Sequence, residues 1–152
     1  MRGTALTPAQ HYLFLRHNPI CAGHGTLNAI GLTWTYRVRP TPLSREYEVC
    51  ITFRPDDSPR VFVVSPSLTE LAGGRKLPHV YHDPLRLCLY LPGSGEWEGH
   101  MRIDKTFVPW TATWLYYFEE WLESDDWKGG GEHPAPGEAE TYNRRSRRSF
   151  RC

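Results

Sequence analysis

No apolar run in the sequence approaches the roughly 18–20 residues that a membrane-spanning helix requires. Residues 1–30 also lack the charged, apolar and small-residue succession of a signal peptide, so a cytoplasmic chain is the expectation. Close cysteine pairs are missing as well. Cys21, Cys50, Cys88 and Cys152 stand far apart, and no Cys-x-x-Cys is present, which excludes a zinc ribbon or a redox dithiol. In a reducing compartment these four are expected to be free thiols. Charge of one sign is not in excess either: the net charge is +1, which argues against a dedicated nucleic-acid binder. There are no internal repeats.

The 152 residues suit one compact domain. Aromatic residues make up 13%, with six Trp and eight Tyr, so the core is rich in rings. Thirteen Gly and thirteen Pro punctuate the chain into short elements.

Thr7-Pro8-Ala9-Gln10 is a helix start, with Thr7 as cap, Pro8 in the first turn and Gln10 closing a capping box. The helix ends at Asn18-Pro19, and the three glycines between Cys21 and Gly31 read as a loop. Leu32, Trp34, Tyr36 and Val38 then alternate with polar residues, as do Tyr47, Val49, Ile51 and Phe53. A β-branched run covers 60–64. Turn residues connect these strands over short distances, so a three-stranded antiparallel meander is predicted. Residues 68–84 show no periodicity. Leu85, Leu87, Leu89 and Leu91 alternate with Arg86, Cys88 and Tyr90, which predicts a fourth extended segment with Cys88 facing outward. Phe107, Trp110, Trp114, Phe118 and Trp121 recur at helical spacing, predicting an aromatic-faced helix from near Pro109 to about Leu122. A stripe of this kind is core rather than a cofactor box. The fold class is therefore α+β, with a domain over residues 1–128. Residues 129–152, rich in Gly and Pro and then in Arg, form a tail expected to be disordered.

Three groups of residues invite a chemical reading. The five arginines at 144–151 supply the positive excess, but no folded basic face supports them, so a solubilising end is preferred to a nucleic-acid arm. His17, Cys21 and His24 are ligand types without a fourth partner or a zinc spacing, and no metal is expected. The third group is the stretch from Leu77 to Cys88. Here an outward thiol follows a Pro-bracketed loop that carries His79, His82 and Asp83. An ordinary thiol is only a few per cent thiolate at pH 7, and a neighbouring imidazole raises its reactivity. The bland alternative is a small strand residue beside surface histidines, and Cys50 holds a similar place on its own strand.

The order of parts then resembles the ubiquitin-conjugating enzyme family: a helix, a meander, Leu77-Pro78-His79-Val80, Leu87-Cys88-Leu89, Trp97, and a long helix. The resemblance covers roughly residues 5–125. In that family a His-Pro-Asn triplet precedes the catalytic cysteine; here Leu77 stands at the position of its His and His79 at that of its Asn. The short form, with Trp127 to Pro134 after the last helix, is similar to the stand-alone conjugating component of type II cyclic-oligonucleotide-based antiphage signalling systems (CBASS). This resemblance implies a Cys88 thioester with the C-terminal glycine of a cGAS-like nucleotidyltransferase, passed on to an amine such as a lysine of an acceptor protein. His79, or else His82, would serve as oxyanion donor or proton shuttle, with Asp83 as an orienting group. No cofactor is implied. The competing reading is a catalytically inactive adaptor of the same fold that binds a protein partner.

Overall fold

The computed structural model describes residues 3–131. The architecture is α+β. Helix α1 spans Pro8–His17, and both arms of its capping box are made: Thr7 N–H donates to Gln10 Oε1 (2.8 Å) and Gln10 N–H to Thr7 Oγ1 (3.2 Å). A 3-10 turn at Pro19–Cys21 follows, capped by Asn18.

Four strands form one antiparallel sheet in chain order: β1 (Gly23–Leu27), β2 (Leu32–Val38), β3 (Tyr47–Phe53) and β4 (Arg60–Ser65). The register opposes Leu32 to Phe53, Trp34 to Ile51 and Tyr36 to Val49, so the alternating apolar residues of β2 and β3 share the core face. This bears out the meander but changes its fourth member. The expected loop at residues 21–31 contains β1, whereas the leucine alternation at 85–91 yields only the two-residue strand β6. Glycine explains the first difference. A Cβ at Gly23 or Gly25 would run into the carbonyl oxygens of Thr35 and Thr33, so β1 reaches β2 because side chains are missing there.

Residues 68–84 hold a short helix α2 (Leu68–Ala72), capped by Ser67 and closed by left-handed Gly73, and then strand β5 (Val80–Tyr81). β5 pairs with β6 (Arg86–Leu87) in a separate two-stranded sheet. A second 3-10 turn at Ile103–Lys105 leads into α3 (Phe107–Ser124). The helix starts two residues before Pro109, which sits in the first turn, where a missing N–H leaves no hydrogen bond unmade. Its buried stripe of Phe107, Trp114, Leu115, Phe118 and Trp121 joins Tyr36, Val49 and Ile51 in the core. Arg75 secures the far end of α3. It donates to the carbonyls of Trp121 (3.5 Å) and Leu122 (3.3 Å), pairs with Asp125 (3.2 Å), and lies over the Trp121 ring. No helix among the described residues is long and apolar enough to cross a membrane. The arginine-rich part of the tail lies outside the described residues.

Candidate functional site

The hairpin of β5 and β6 brings two of the sequence-selected residues together. Val80 opposes Leu87 and Tyr81 opposes Arg86, and the pairing extends one step further: Cys88 N–H donates to the His79 carbonyl at 3.0 Å. His79 and Cys88 are thus cross-strand neighbours at the open end of the hairpin. Side chains alternate across it, so His79, Cys88, Tyr81 and Arg86 share one face, while Val80 and Leu87 turn to the core.

The His79 carbonyl accepts a second hydrogen bond, from Trp114 Nε1 at 3.1 Å, which ties the hairpin to α3. The backbone of His79 is left-handed, with φ of 47°. Histidine and asparagine are among the few non-glycine residues that tolerate this region. That gives a physical reason why either residue type suits the position. The imidazole is buried and stacks on Trp127, with ring centroids 5.0 Å apart. Trp127 leans in turn on Trp114 and Tyr117, and its indole N–H donates to the Gly130 carbonyl at 3.0 Å. Gly131 closes against the imidazole: a Cβ there would lie 3.4 Å from His79 Cε1. The segment after α3 therefore folds back as a wall.

Between that wall and Cys88 lies a cavity of about 410 Å³, lined among others by His79, Glu96, Trp110, Trp114 and Trp127. Its surface is largely aromatic. Cys88 is free and half-buried. Burial pushes its thiol up, a hydrogen bond from Tyr81 and the Arg86 cation pull it down, and Glu96 pushes it up; the balance lies above the ordinary value. Trp97 anchors the loop after Cys88, edge-on to Phe53 and Phe107.

His82 and Asp83 stand elsewhere. Both are exposed at the hairpin tip and neither lines the cavity. Of the other cysteines, Cys21 is fully buried, its thiol pushed up to about 11 chiefly by burial. Cys50 is disulfide-bonded, which corrects the expectation of four free thiols. His17 and His24 are exposed, and among the described residues no three His, Cys, Asp or Glu side chains gather as a metal site. Sequence reasoning missed Tyr81, Arg86 and Glu96, and named Trp127 only in the motif after the last helix, with no role in the site. The signal for the first two was the hairpin register, which fixes their face once His79 and Cys88 are paired.

No curated protein matches the chain. The family model for the type II CBASS E2 protein does, over residues 11–134, a span that includes the hairpin, the cavity and its wall. With its α+β architecture and that match, the chain belongs to the type II CBASS E2 proteins, the stand-alone conjugating components of these defence systems.

Proposed function

We propose that Cys88 carries the C-terminal glycine of a cGAS-like nucleotidyltransferase as a thioester and passes it to an amine, such as a lysine of an acceptor protein. The observation that carries this reading is the place of Cys88, a free thiol on the wall of a roomy cavity and directly opposite His79. The acyl group arrives activated, as a thioester or an acyl–phosphate anhydride, because a free carboxylate and a thiol do not condense unaided. The Cys88 sulfur attacks the carbonyl carbon, a C–S bond forms, and the activating group departs with its electron pair. The amine then attacks the same carbon and displaces sulfur. Thioester exchange is nearly isoenergetic and aminolysis of a thioester to an amide runs downhill, so positioning and an oxyanion donor matter more than a strong base. His79 is that donor, its ring held by Trp127; His82, at the exposed tip, ranks second. The cavity receives the residues that precede the glycine.

One observation favours the inactive adaptor: burial lifts the Cys88 thiol and so reduces its thiolate fraction. The two readings separate on a non-reducing gel of the protein co-expressed with a cGAS-like nucleotidyltransferase. The transferase reading expects a thiol-labile adduct in the wild type, a stable oxyester in Cys88→Ser and none in Cys88→Ala. An adduct that persists in Cys88→Ala, or none in any variant, overturns it and leaves the adaptor.

A further inference from the structure

Helix α3 presents two faces. One is the buried stripe of the core. The other carries Trp110, Thr113, Trp114 and Tyr117, spaced i, i+3, i+4 and i+7, and lines the cavity beside Cys88. Trp114 belongs to both faces, whereas the Trp110 and Tyr117 rings are only half-buried. Further rings enclose this face. Tyr90 tilts against Trp110 at 6.2 Å, and Trp127 leans on Trp114 at 5.6 Å and on Tyr117 at 6.0 Å between centroids. The cavity is thus a trough walled by Tyr and Trp rings, with Cys88 in its lining.

Formal charge in the trough is sparse. Among the described residues that line it there is no Lys or Arg, and the one carboxylate is Glu96. Glu96 is exposed, and its Oε2 accepts the Leu91 N–H at 3.3 Å. That bond fixes the carboxylate beside the loop after Cys88 and leaves its charge in place, since an amide donor carries none. Aromatic faces attract a cation, and a carboxylate at the rim adds to the attraction. The stem of Arg or Lys is apolar and lies well along rings while its charged head reaches water or the rim. A carboxylate entering the same trough meets the negative ring faces and Glu96.

We propose that this trough is the subsite for the residue immediately before the terminal glycine of the acyl donor, and that it selects Arg or Lys there and rejects Asp or Glu. This selection deepens the thioester reading and rests on it for the tethered group. The tether favours the donor over the acceptor as occupant. Once the glycine carbonyl is bonded to the Cys88 sulfur, the preceding Cα lies about 3.8 Å beyond the glycine Cα, which brings its side chain within reach of the rings. The acceptor amine, by contrast, visits only for the attack.

The test uses dipeptides of defined composition and the full-length protein. Ac-Arg-Gly, Ac-Leu-Gly and Ac-Glu-Gly are presented as thioesters of N-acetylcysteamine, a neutral leaving group. The Cys88 thiolate attacks the glycine carbonyl, a new C–S bond forms, and the old one breaks with its electron pair leaving on N-acetylcysteamine. Acylation at Cys88 is followed by mass spectrometry at low peptide concentration, each rate being divided by that of N-acetylcysteine methyl ester. The Arg peptide reacts roughly three- to tenfold faster than the Leu peptide, and the Leu peptide faster than the Glu peptide. Higher ionic strength narrows the Arg preference. Glu96→Gln, its fold verified by near-UV circular dichroism, narrows it too. Equal normalised rates for the three peptides, or an Arg preference that Glu96→Gln leaves unchanged, overturn the proposal, while acylation of Cys88 itself upholds the transferase reading. A second arm needs no reaction: the same dipeptides, as C-terminal amides, are titrated against the tryptophan emission. Tighter binding of the Arg amide, weakened in Glu96→Gln, with no acylation by any thioester keeps the subsite and removes the transferase reading. No acylation and no binding preference removes both. Finally, n-butylamine discharges the acylated protein. A discharge rate that falls in Glu96→Gln, with no donor preference, assigns the trough to the acceptor and overturns the proposal.

Discussion

At the scale of single residues, His79 has two duties that substitution separates. Its backbone must hold φ at 47°, and its ring must fill the space against Trp127. His79→Asn keeps a side chain that tolerates the left-handed region, so its stability should remain within about 1 kcal/mol of the wild type. His79→Val places a β-branched residue there and should cost about 2–3 kcal/mol, read as a lower urea midpoint. Under the proposed function, His79→Ala slows acyl transfer by roughly 10- to 1000-fold, as expected for loss of an oxyanion donor. Equal transfer rates in His79→Ala and the wild type would remove that role and leave histidine a packing residue.

Among the elements, the two helices depend on different forces. α1 is short and buries only His11 and Leu15, so its ends matter. Thr7→Ala removes the Oγ1 acceptor of the Gln10 N–H, keeps the backbone N–H arm to Gln10 Oε1, and should cost about 1 kcal/mol, a fall of roughly 3–5 °C in melting temperature by calorimetry. α3 makes no side-chain cap at its start and is held by its aromatic stripe. The contrast was legible in the sequence, because capping boxes and helical periodicity are both local patterns. The hairpin of β5 and β6 was legible only in part. The leucine alternation turned Cys88 the right way, since side-chain direction follows from period two alone. How far the strand ran was not legible: Leu91 is exposed, and the strand itself ends at Leu87.

For the whole molecule, the contact of α1 with the turn before α3 makes stability depend on pH. His11 is fully buried between Phe53 and the Ile103 backbone, whose N–H points to His11 Nδ1 at 3.5 Å. Burial lowers its pKa to about 4, with nearby Asp104 opposing. The folded state therefore keeps His11 neutral at pH values where the unfolded chain, with a pKa near 6.5, binds a proton. The stabilisation is present above about pH 6.5 and is lost as pH falls towards 4, by an amount on the order of 3 kcal/mol. Burial pushes the Asp104 carboxyl up, but hydrogen bonds from Arg102 and Asn18 outweigh it and hold it below the usual carboxylate range. Its contribution goes only at still lower pH. Urea midpoints at pH 7 and pH 4.5 should therefore differ for the wild type and converge for His11→Phe, whose ring packs against Phe53 without titrating. An equal pH dependence in both proteins would assign the effect to other groups.

By itself the sequence determined α1, the core-facing residues of β2 and β3, the aromatic face of α3 and the turn of Cys88 to the face opposite Leu87. Each of these follows from a pattern that a segment carries alone: a cap, a period of two or a period near 3.6. Tertiary structure decided the rest. It made a strand of the glycine-rich stretch at 23–27, because the absence of Cβ atoms matters only when β2 lies alongside. It set Trp127 on His79 and the Trp114 indole on the His79 carbonyl, contacts between residues far apart in the chain. The same packing separated His79 from His82, which the sequence offered as first and second candidates beside Cys88. One imidazole is enclosed by rings on α3 and beyond it, and the other is left at a hairpin tip, a difference that exists only once distant segments meet.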